Sequence, residues 1–505
     1  MSKDNFFNSN FYVGNENWVK STFEDPEIKE KEFKSQKEKI QMYLKKYLLL
    51  DNVNFLFGTG SSIHLGAETI RTIPEQVESA ITGDLKDIFK ILKGKYIEKF
   101  KKKEDYFAWE NIRGNLSEEL KNKLEVIEVN DSKFNLKKAL NLLSEEDEKN
   151  ELLEKSVEVT LEDFLNYLMA TKYLLENSEG LISDENLTYK NVDKLINIIK
   201  KAMFKMCDID KITLEENKYL KTEPEIKEQM EKQGSYTYHK SFLTSILQRP
   251  LNLRRANIFT LNYDLAFEYS FDQLGIQYID GFVGFHQRNF RPEVFNYDYF
   301  YPGDTTEGKV RRIERVVKYY KLHGSLTWIN GKKGVNNPYE LYEKPIELIR
   351  HQIETDVEDE NFSVGKIMIY PTSTKKEFTL NFPYSDLFRK FADRLQQPEA
   401  VLFSIGYSFY DEHINDIIYQ ALANPSFTLI IVDFNGSKSG EIKRLKELND
   451  PRIIICEGPY LGDFKAFSKE ILPSIDEYDT RAQVTKSLQK LFEEKSNNGD
   501  DINVQ

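Results

Sequence analysis

At 505 residues the chain is long enough for a large core and two folding units. Its 70 Lys and Arg against 83 Asp and Glu leave a net charge of -13, which argues against nucleic acid and anionic membranes as whole-surface partners while leaving a local basic patch open. Two cysteines, Cys207 and Cys456, cannot build a disulfide framework or a four-thiolate zinc site, and no apolar run approaches the roughly 18 residues of a membrane-spanning helix, so a reducing cytoplasm is the expected compartment.

In chain order, Met1-Ser2-Lys3-Asp4-Asn5 lacks the charged-then-apolar pattern of a secretory signal. Residues 24–50, rich in Lys and Glu at amphipathic spacing, predict a helix within an N-terminal arm, residues 1–50. An apolar segment, 53–57, runs into Gly58-Thr59-Gly60-Ser61-Ser62 and on to Gly66. Glycines after a strand let backbone approach a pyrophosphate, while hydroxyls and free N–H groups supply donors. A tight turn uses the same residue types, so this motif alone does not decide. From 74 to 250 the strand rhythm stops. Leu161, Phe164, Leu165 and Leu168, then Leu195, Ile198, Ile199 and Met203, recur at helical spacing. They predict a helical insertion that serves as a lid, an oligomerisation surface or a docking domain.

Strand signals resume at 257–261, which ends in Asn262-Tyr263-Asp264. Residues 286–309 read as a long loop carrying Phe290, Phe295, Tyr297, Tyr299, Phe300 and Tyr301. Such a loop is either a functional lid or a set of aromatics capping the core. Segment 316–322 ends in His323-Gly324-Ser325, and 400–405 in Gly406-Tyr407-Ser408. Asp411 and Glu412 then open a helix, where acids complement the dipole as caps. Segment 428–432 ends in Asp433-Phe434-Asn435, and 452–455 in Cys456-Glu457-Gly458. Residues 476–505 predict a C-terminal helix and a disordered tail.

Six short continuous apolar runs describe a buried parallel sheet. The expected fold is α/β: a Rossmann-like parallel sheet with helices on both faces, built from 51–73 and 251–475, plus the helical insertion. Ligands of such sheets bind beyond the carboxyl ends of the strands, so the clusters above would line one nucleotide crevice. His323 is the side chain there most readily poised as a base near neutral pH, although a strand-end histidine is also an ordinary interior residue. Asn262 and Asp264 equally suit a capped turn, and Asp433 or Asn435 a ribose contact. His64, His239, His286, His351 and His413 show no metal-ligand spacing.

Taken in order, Gly58-Thr59-Gly60-Ser61-Ser62 with Gly66, Thr260-Leu261-Asn262-Tyr263-Asp264 and Leu322-His323-Gly324-Ser325 resemble the motifs of the sirtuin family. Gly406-Tyr407-Ser408 resembles that family's Gly-Thr-Ser, and Asn435 its strand-end ribose contact. Protein-deacylating sirtuins carry a four-cysteine zinc module absent here. In place of their Pro-Asp-Phe-Arg stands Glu68-Thr69-Ile70-Arg71, which keeps only the arginine. The chain therefore resembles the zinc-less sirtuin-like NAD hydrolases of bacterial antiphage defence.

That resemblance implies an NAD glycohydrolase of abortive infection, with NAD as substrate and no zinc or further cofactor. It implies Asn262, His323 and Asp264 as catalytic residues. Gly58, Thr59, Gly60, Ser62, Arg71, Gly406, Ser408 and Asn435 would contact NAD. It also implies a homo-oligomer, gated by assembly or by a partner such as a HerA-type ATPase or nucleotide-sensing subunit, with the aromatic loop and the insertion as gates. A sensing subunit that binds NAD or ADP-ribose without turnover, and a zinc-free deacylase or ADP-ribosyltransferase, are the alternatives.

Overall fold

The computed structural model describes residues 3–473, apart from 22–24, 68–74, 101–105, 109–116, 125–132, most of 136–160, 178–186, 210–235, 302–310, 331–337, 356–382 and 439. Arg71 and the tail expected at 476–505 lie outside the described residues. The chain divides into two compact units, one of residues 1–67, 209–344 and 381–505 and one of 68–208 and 345–380.

The first unit is organised by a nine-stranded sheet. Its strands are β1 Asn10–Val13, β2 Glu16–Asn17, β3 Val53–Phe57, β4 Asn257–Thr260, β5 Gln277–Ile279, β6 Val316–Lys321, β7 Val401–Ile405, β8 Thr428–Asp433 and β9 Ile453–Glu457. The order across the sheet is β2-β1-β9-β8-β7-β3-β4-β6-β5. From β9 to β5 every pair is parallel, and β1 closes the β9 edge antiparallel. The chain leaves β3 for β4 on one side and later returns to β7 on the other. That reversal makes the β3/β7 junction the switch point at which such sheets bind ligands.

Its helices are α1 Lys3–Phe7, α2 Pro26–Leu48, α3 Thr237–Leu247, α4 Ala266–Leu274, α5 Tyr384–Leu395, α6 Glu412–Leu422 and α7 Gly440–Glu447. Every residue of β3, β7 and β9 is buried, because helices cover both faces. On one face Phe55 and Phe57 meet Phe242 of α3 at 4.9 and 5.0 Å. On the other, Phe259 stacks on Tyr320 at 4.4 Å and meets Phe391 of α5 at 4.8 Å. The α/β sheet expected from the apolar runs is the one observed. The helix expected over 24–50 forms as α2, started by Asp25, whose carboxylate accepts the Glu27 N–H at 2.8 Å.

Three expectations are corrected. Residues 1–50 are no separate arm: β1 and β2 extend the sheet, and Ile40, Leu44 and Leu48 of α2 are buried in its core. Residues 237–247, assigned to the insertion, pack under β3 because Phe242, Leu243 and Ile246 need that apolar face. The aromatic segment is partly strand rather than one long loop. Arg288–Phe290 pairs antiparallel with Phe282–Val283 and with Leu341–Glu343, which pairs with Trp328–Asn330. Arg288 locks this small sheet to Asp280 at 2.8 Å and to Glu343. Phe290 and Phe295 are core residues, whereas Tyr297, Tyr299, Phe300 and Tyr301 are exposed.

The second unit holds the helices Glu75–Ala80, Asp84–Phe100, Leu161–Asn177, Tyr189–Cys207 and Ile346–Thr355. Leu161, Phe164, Leu165 and Leu168 are buried, as are Leu195, Ile199 and Met203, which is the helical face their spacing predicts. Arg350 binds Asp208 through two bonds of 2.7 and 2.6 Å. This fork draws 345–355 into the helical unit, so the sheet region is not continuous over 251–475. Among the described residues no helix is long and apolar enough to cross a membrane.

Candidate active site

Beyond β3 the chain makes two 3-10 turns, Thr59–Ser61 and Ile63–Leu65, and Gly66 at φ +92 closes the second. Gly58 N–H donates to Ile405 O and Gly60 N–H to Gly406 O, both at 3.0 Å. The loops after β3 and β7 therefore touch through backbone. A Cβ on Gly60 would lie 2.7 Å from Gly406 Cα, and one on Gly406 would lie 2.6 Å from Ser61 N. The close approach that these glycines allow is thus loop against loop, at the switch point itself.

Asn262 follows β4 and joins this loop. Its N–H donates to Thr260 Oγ1 at 3.0 Å, and its Nδ2 lies within donating distance of Gly58 O at 3.1 Å, Ser61 Oγ at 3.2 Å and Ser62 Oγ at 3.1 Å. Ser62 also hydrogen-bonds the Asp264 carboxylate, which accepts Ala266 N–H at 3.0 Å and so starts α4. Burial pushes the Asp264 carboxyl up, against the pull of Lys321, Ala266 N–H and Ser62. Ser62, assigned to a pyrophosphate, is buried with its hydroxyl committed to Asn262 and Asp264. Sequence reasoning missed Lys321, the last residue of β6. Its Nζ donates to Tyr263 O at 3.2 Å, to Asp264 O and to Glu268 Oε1 at 2.9 Å. Its signal was a lysine inside a mostly apolar run that also carries Lys318.

His323 is buried just beyond β6, and its Nε2 lies 3.3 Å from Nε2 of His413, the second residue of α6. The Phe388 ring of α5 lies 5.1 Å from His413. The turn before α6 is fixed by Tyr407, whose hydroxyl accepts Asp411 N–H at 3.1 Å and lies 2.9 Å from Asn415 Oδ1. Asn415 in turn donates to Phe409 O at 2.8 Å. Asp411 occupies the N-cap position and Glu412 the first turn, where their charges complement the dipole as expected, although the Asp411 side chain makes no capping bond.

The remaining contacts expected for NAD are spread along the same strand ends. Gly406 has φ +63. Ser408 Oγ donates to Asp433 Oδ2 at 3.2 Å, and Asp433 Oδ1 accepts the N–H groups of Asn435 at 2.9 Å and Gly436 at 2.7 Å. Asp433 is buried and shapes the turn, leaving Asn435 exposed and Thr59 half-buried. Among the described residues no three His, Cys, Asp or Glu side chains converge as metal ligands.

Next to the glycine loop, His64 and His239 of α3 stack at 5.5 Å between Phe464 and Tyr238 or Phe267. Burial, and then Lys465, lowers His64 from 6.5 to about 4, and burial, and then His64, holds His239 well below 6.5. Both rings are neutral in the fold, and the unfolded chain takes up their protons first as pH falls. Their stabilisation is complete above about pH 6.5 and drains away as pH falls below it, for His64 toward about pH 4, at up to about 1.4 kcal/mol per unit for each ring. His239→Phe should therefore flatten the fall of the urea midpoint between about pH 7 and about pH 5. An unchanged slope would remove His239 from the acid response.

Residues 256–454 match the family described as the SIR2-like domain. The match opens at the start of β4 and ends inside β9, so β3 and its glycine loop, cut off from β4 in sequence by the second unit, fall outside it. No curated protein matches the chain.

Proposed function

From a SIR2-like domain over residues 256–454, a module of NAD-related chemistry, we propose that this protein is an NAD glycohydrolase yielding ADP-ribose and nicotinamide. The observation that carries the reading is the Asn262 amide, anchored on Gly58, Ser61 and Ser62 at the switch point, with His323 on a strand end of the same sheet. The bond from ribose C1′ to nicotinamide breaks with its electron pair passing to the pyridinium nitrogen, so nicotinamide leaves neutral. Water forms the new bond to C1′, and its proton goes to His323, a transfer worth about 10²–10⁴-fold. Asn262 orients the water and the ribose. Asp264, whose oxygens are tied to Ser62 and Ala266, acts through its charge on the developing oxocarbenium ion.

The glycine loops would carry the pyrophosphate and the turn at Asn435 the adenosine ribose. Unchecked NAD breakdown kills a cell, which suits an abortive-infection effector switched on by homo-oligomer assembly or by a partner such as a HerA-type ATPase or nucleotide sensor. Among the sequence-derived gates, the aromatic segment is the weaker, since Phe290 and Phe295 are fixed in the core.

Chromatography of NAD incubated with the pure protein is expected to show nicotinamide and ADP-ribose. His323→Ala and Asn262→Ala should each lose that turnover with unchanged circular dichroism. A wild type that neither binds NAD in calorimetry nor cleaves it overturns the reading. Binding without cleavage, with or without a partner, would make the protein a sensor.

A further inference from the structure

We propose that His413 is the proton-sharing partner of His323, a positioning residue that holds the base and stabilises the proton it accepts. The kinetic part of this inference rests on the NAD-hydrolase reading; the pairing of the rings does not.

The two imidazoles meet through the same nitrogen, Nε2 to Nε2, at 3.3 Å. One of these atoms carries the hydrogen and the other offers its lone pair, so the contact couples the tautomers of both rings. A first added proton goes to the free outer nitrogen of the donor ring, Nδ1, and makes that ring an imidazolium whose Nε2–H is shared with the other ring. A second would set two positive charges a few ångströms apart, which a partly dry site disfavours. The pair therefore titrates as one unit in two separated steps. In the reaction a lone pair of the water oxygen forms the new C1′–O bond, the O–H bond breaks with its electron pair left on that oxygen, and the proton joins His323 Nδ1, since Nε2 is committed to His413. His413 then shares the charge. A base with such a neighbour holds its proton more tightly than an isolated imidazole.

The surroundings suit this division of labour. His413 sits in the first turn of an eleven-residue helix, whose N-terminal dipole disfavours an imidazolium on that ring and leaves it the acceptor. Phe388 covers the rings from α5, and His323 is only 6 % exposed, so water screens the contact poorly. Tyr407 and Asn415 set where α6 begins. The other ionisable groups on these elements are Lys318, Tyr319, Tyr320 and Lys321 on β6, Asp264 and Glu268 after β4, Asp411, Glu412, Asp416 and Tyr419 about α6, and Tyr384, Asp386, Arg389, Lys390, Asp393 and Arg394 on α5. The contact that the geometry gives to a His323 ring nitrogen is the one to His413.

The test compares wild type with His413→Gln in two measurements, the pH profile of kcat for NAD cleavage and the NMR titration of ¹³C-labelled histidine rings. The variant should keep KM within about twofold, lose roughly tenfold or more in kcat, and move the acid limb of kcat to lower pH. The His323 ring signal should shift its titration in the same direction. A fall in kcat with an unmoved acid limb and an unmoved His323 titration overturns the proposal and leaves His413 a packing residue. If wild type shows coupled ring titrations yet never cleaves NAD, the hydrolase reading fails and the pair stands.

Discussion

Lys321→Met is expected to destabilise the sheet unit by about 3 kcal/mol, the low end of the range for breaking a buried ion pair, and, on the proposed NAD-hydrolase reading, to silence NAD turnover with it. The Lys321 side chain is 3 % exposed, and the Glu268 side chain is 16 % exposed. Methionine keeps the length of the chain and fills the same space, but it removes the donor shared by Tyr263 O, Asp264 O and Glu268. Those two carbonyls belong to the turn that carries Asn262. Losing the cation thus frees the turn as well as stranding a carboxylate.

The sign of the pH dependence follows from Glu268. Burial already raises its carboxyl, and Lys321 opposes that rise. Without Lys321 the folded-state pKa climbs further above the unfolded one, so the folded variant binds protons more readily than its unfolded chain. Its stability deficit is then largest near neutral pH and shrinks as pH falls toward the folded pKa. Urea denaturation of both proteins at about pH 7.5 and about pH 5.5 reads this directly. Lys321→Met combined with Glu268→Gln should recover more than half of the loss. A gap below about 1 kcal/mol, or one indifferent to pH, would show that the pair does not hold the turn.

What the sequence made legible was the periodicity and the strand ends. Continuous apolar runs at β3, β7 and β9 survive because both faces of these strands are buried, and the clusters that follow them gather at one end because neighbouring strands are parallel. Less legible were contacts whose partners are remote in sequence. Tyr12 lies in a mixed segment that reads as no strand until it pairs with Ile455 across the β9 edge. His413 looks like a surface residue in a helix start, and only the Tyr407–Asn415 turn brings it to His323 across 90 positions. The Arg350–Asp208 fork is likewise invisible to any local window, which is why the boundary of the helical unit does not show in the sequence. Gly60 and Gly406 are legible as points of close backbone approach, and the neighbour that the sequence hides is each other's loop. Their missing Cβ atoms admit each other's backbone, whatever ligand then lies above them.

Gly406→Ala follows from that approach and is expected to cost about 3 kcal/mol and, if the proposed NAD site is the one these loops build, to raise the NAD Kd roughly 100-fold or more. Alanine at φ +63 carries about 1–2 kcal/mol of left-handed strain. Its Cβ would stand 2.6 Å from Ser61 N and 2.7 Å from Gly60 C, which are backbone atoms with no rotamer to escape into. The β3 loop has to move, and it takes with it the Gly60 N–H bond to Gly406 O, worth about 1 kcal/mol. Gly58 O, Ser61 and Ser62 ride on the same loop, so Asn262 loses its three acceptors together. Gly275→Ala separates strain from contact. Gly275 has φ +61 but nothing within 4 Å of its would-be Cβ, so it should lose only the strain, about 1–2 kcal/mol, and keep NAD affinity. Chemical denaturation and calorimetric NAD titration of the two variants decide between the causes. Equal stability losses with equal, unshifted NAD affinity would mean that the contact between the loops does not build the site, and that glycine is needed at 406 for its backbone angle alone.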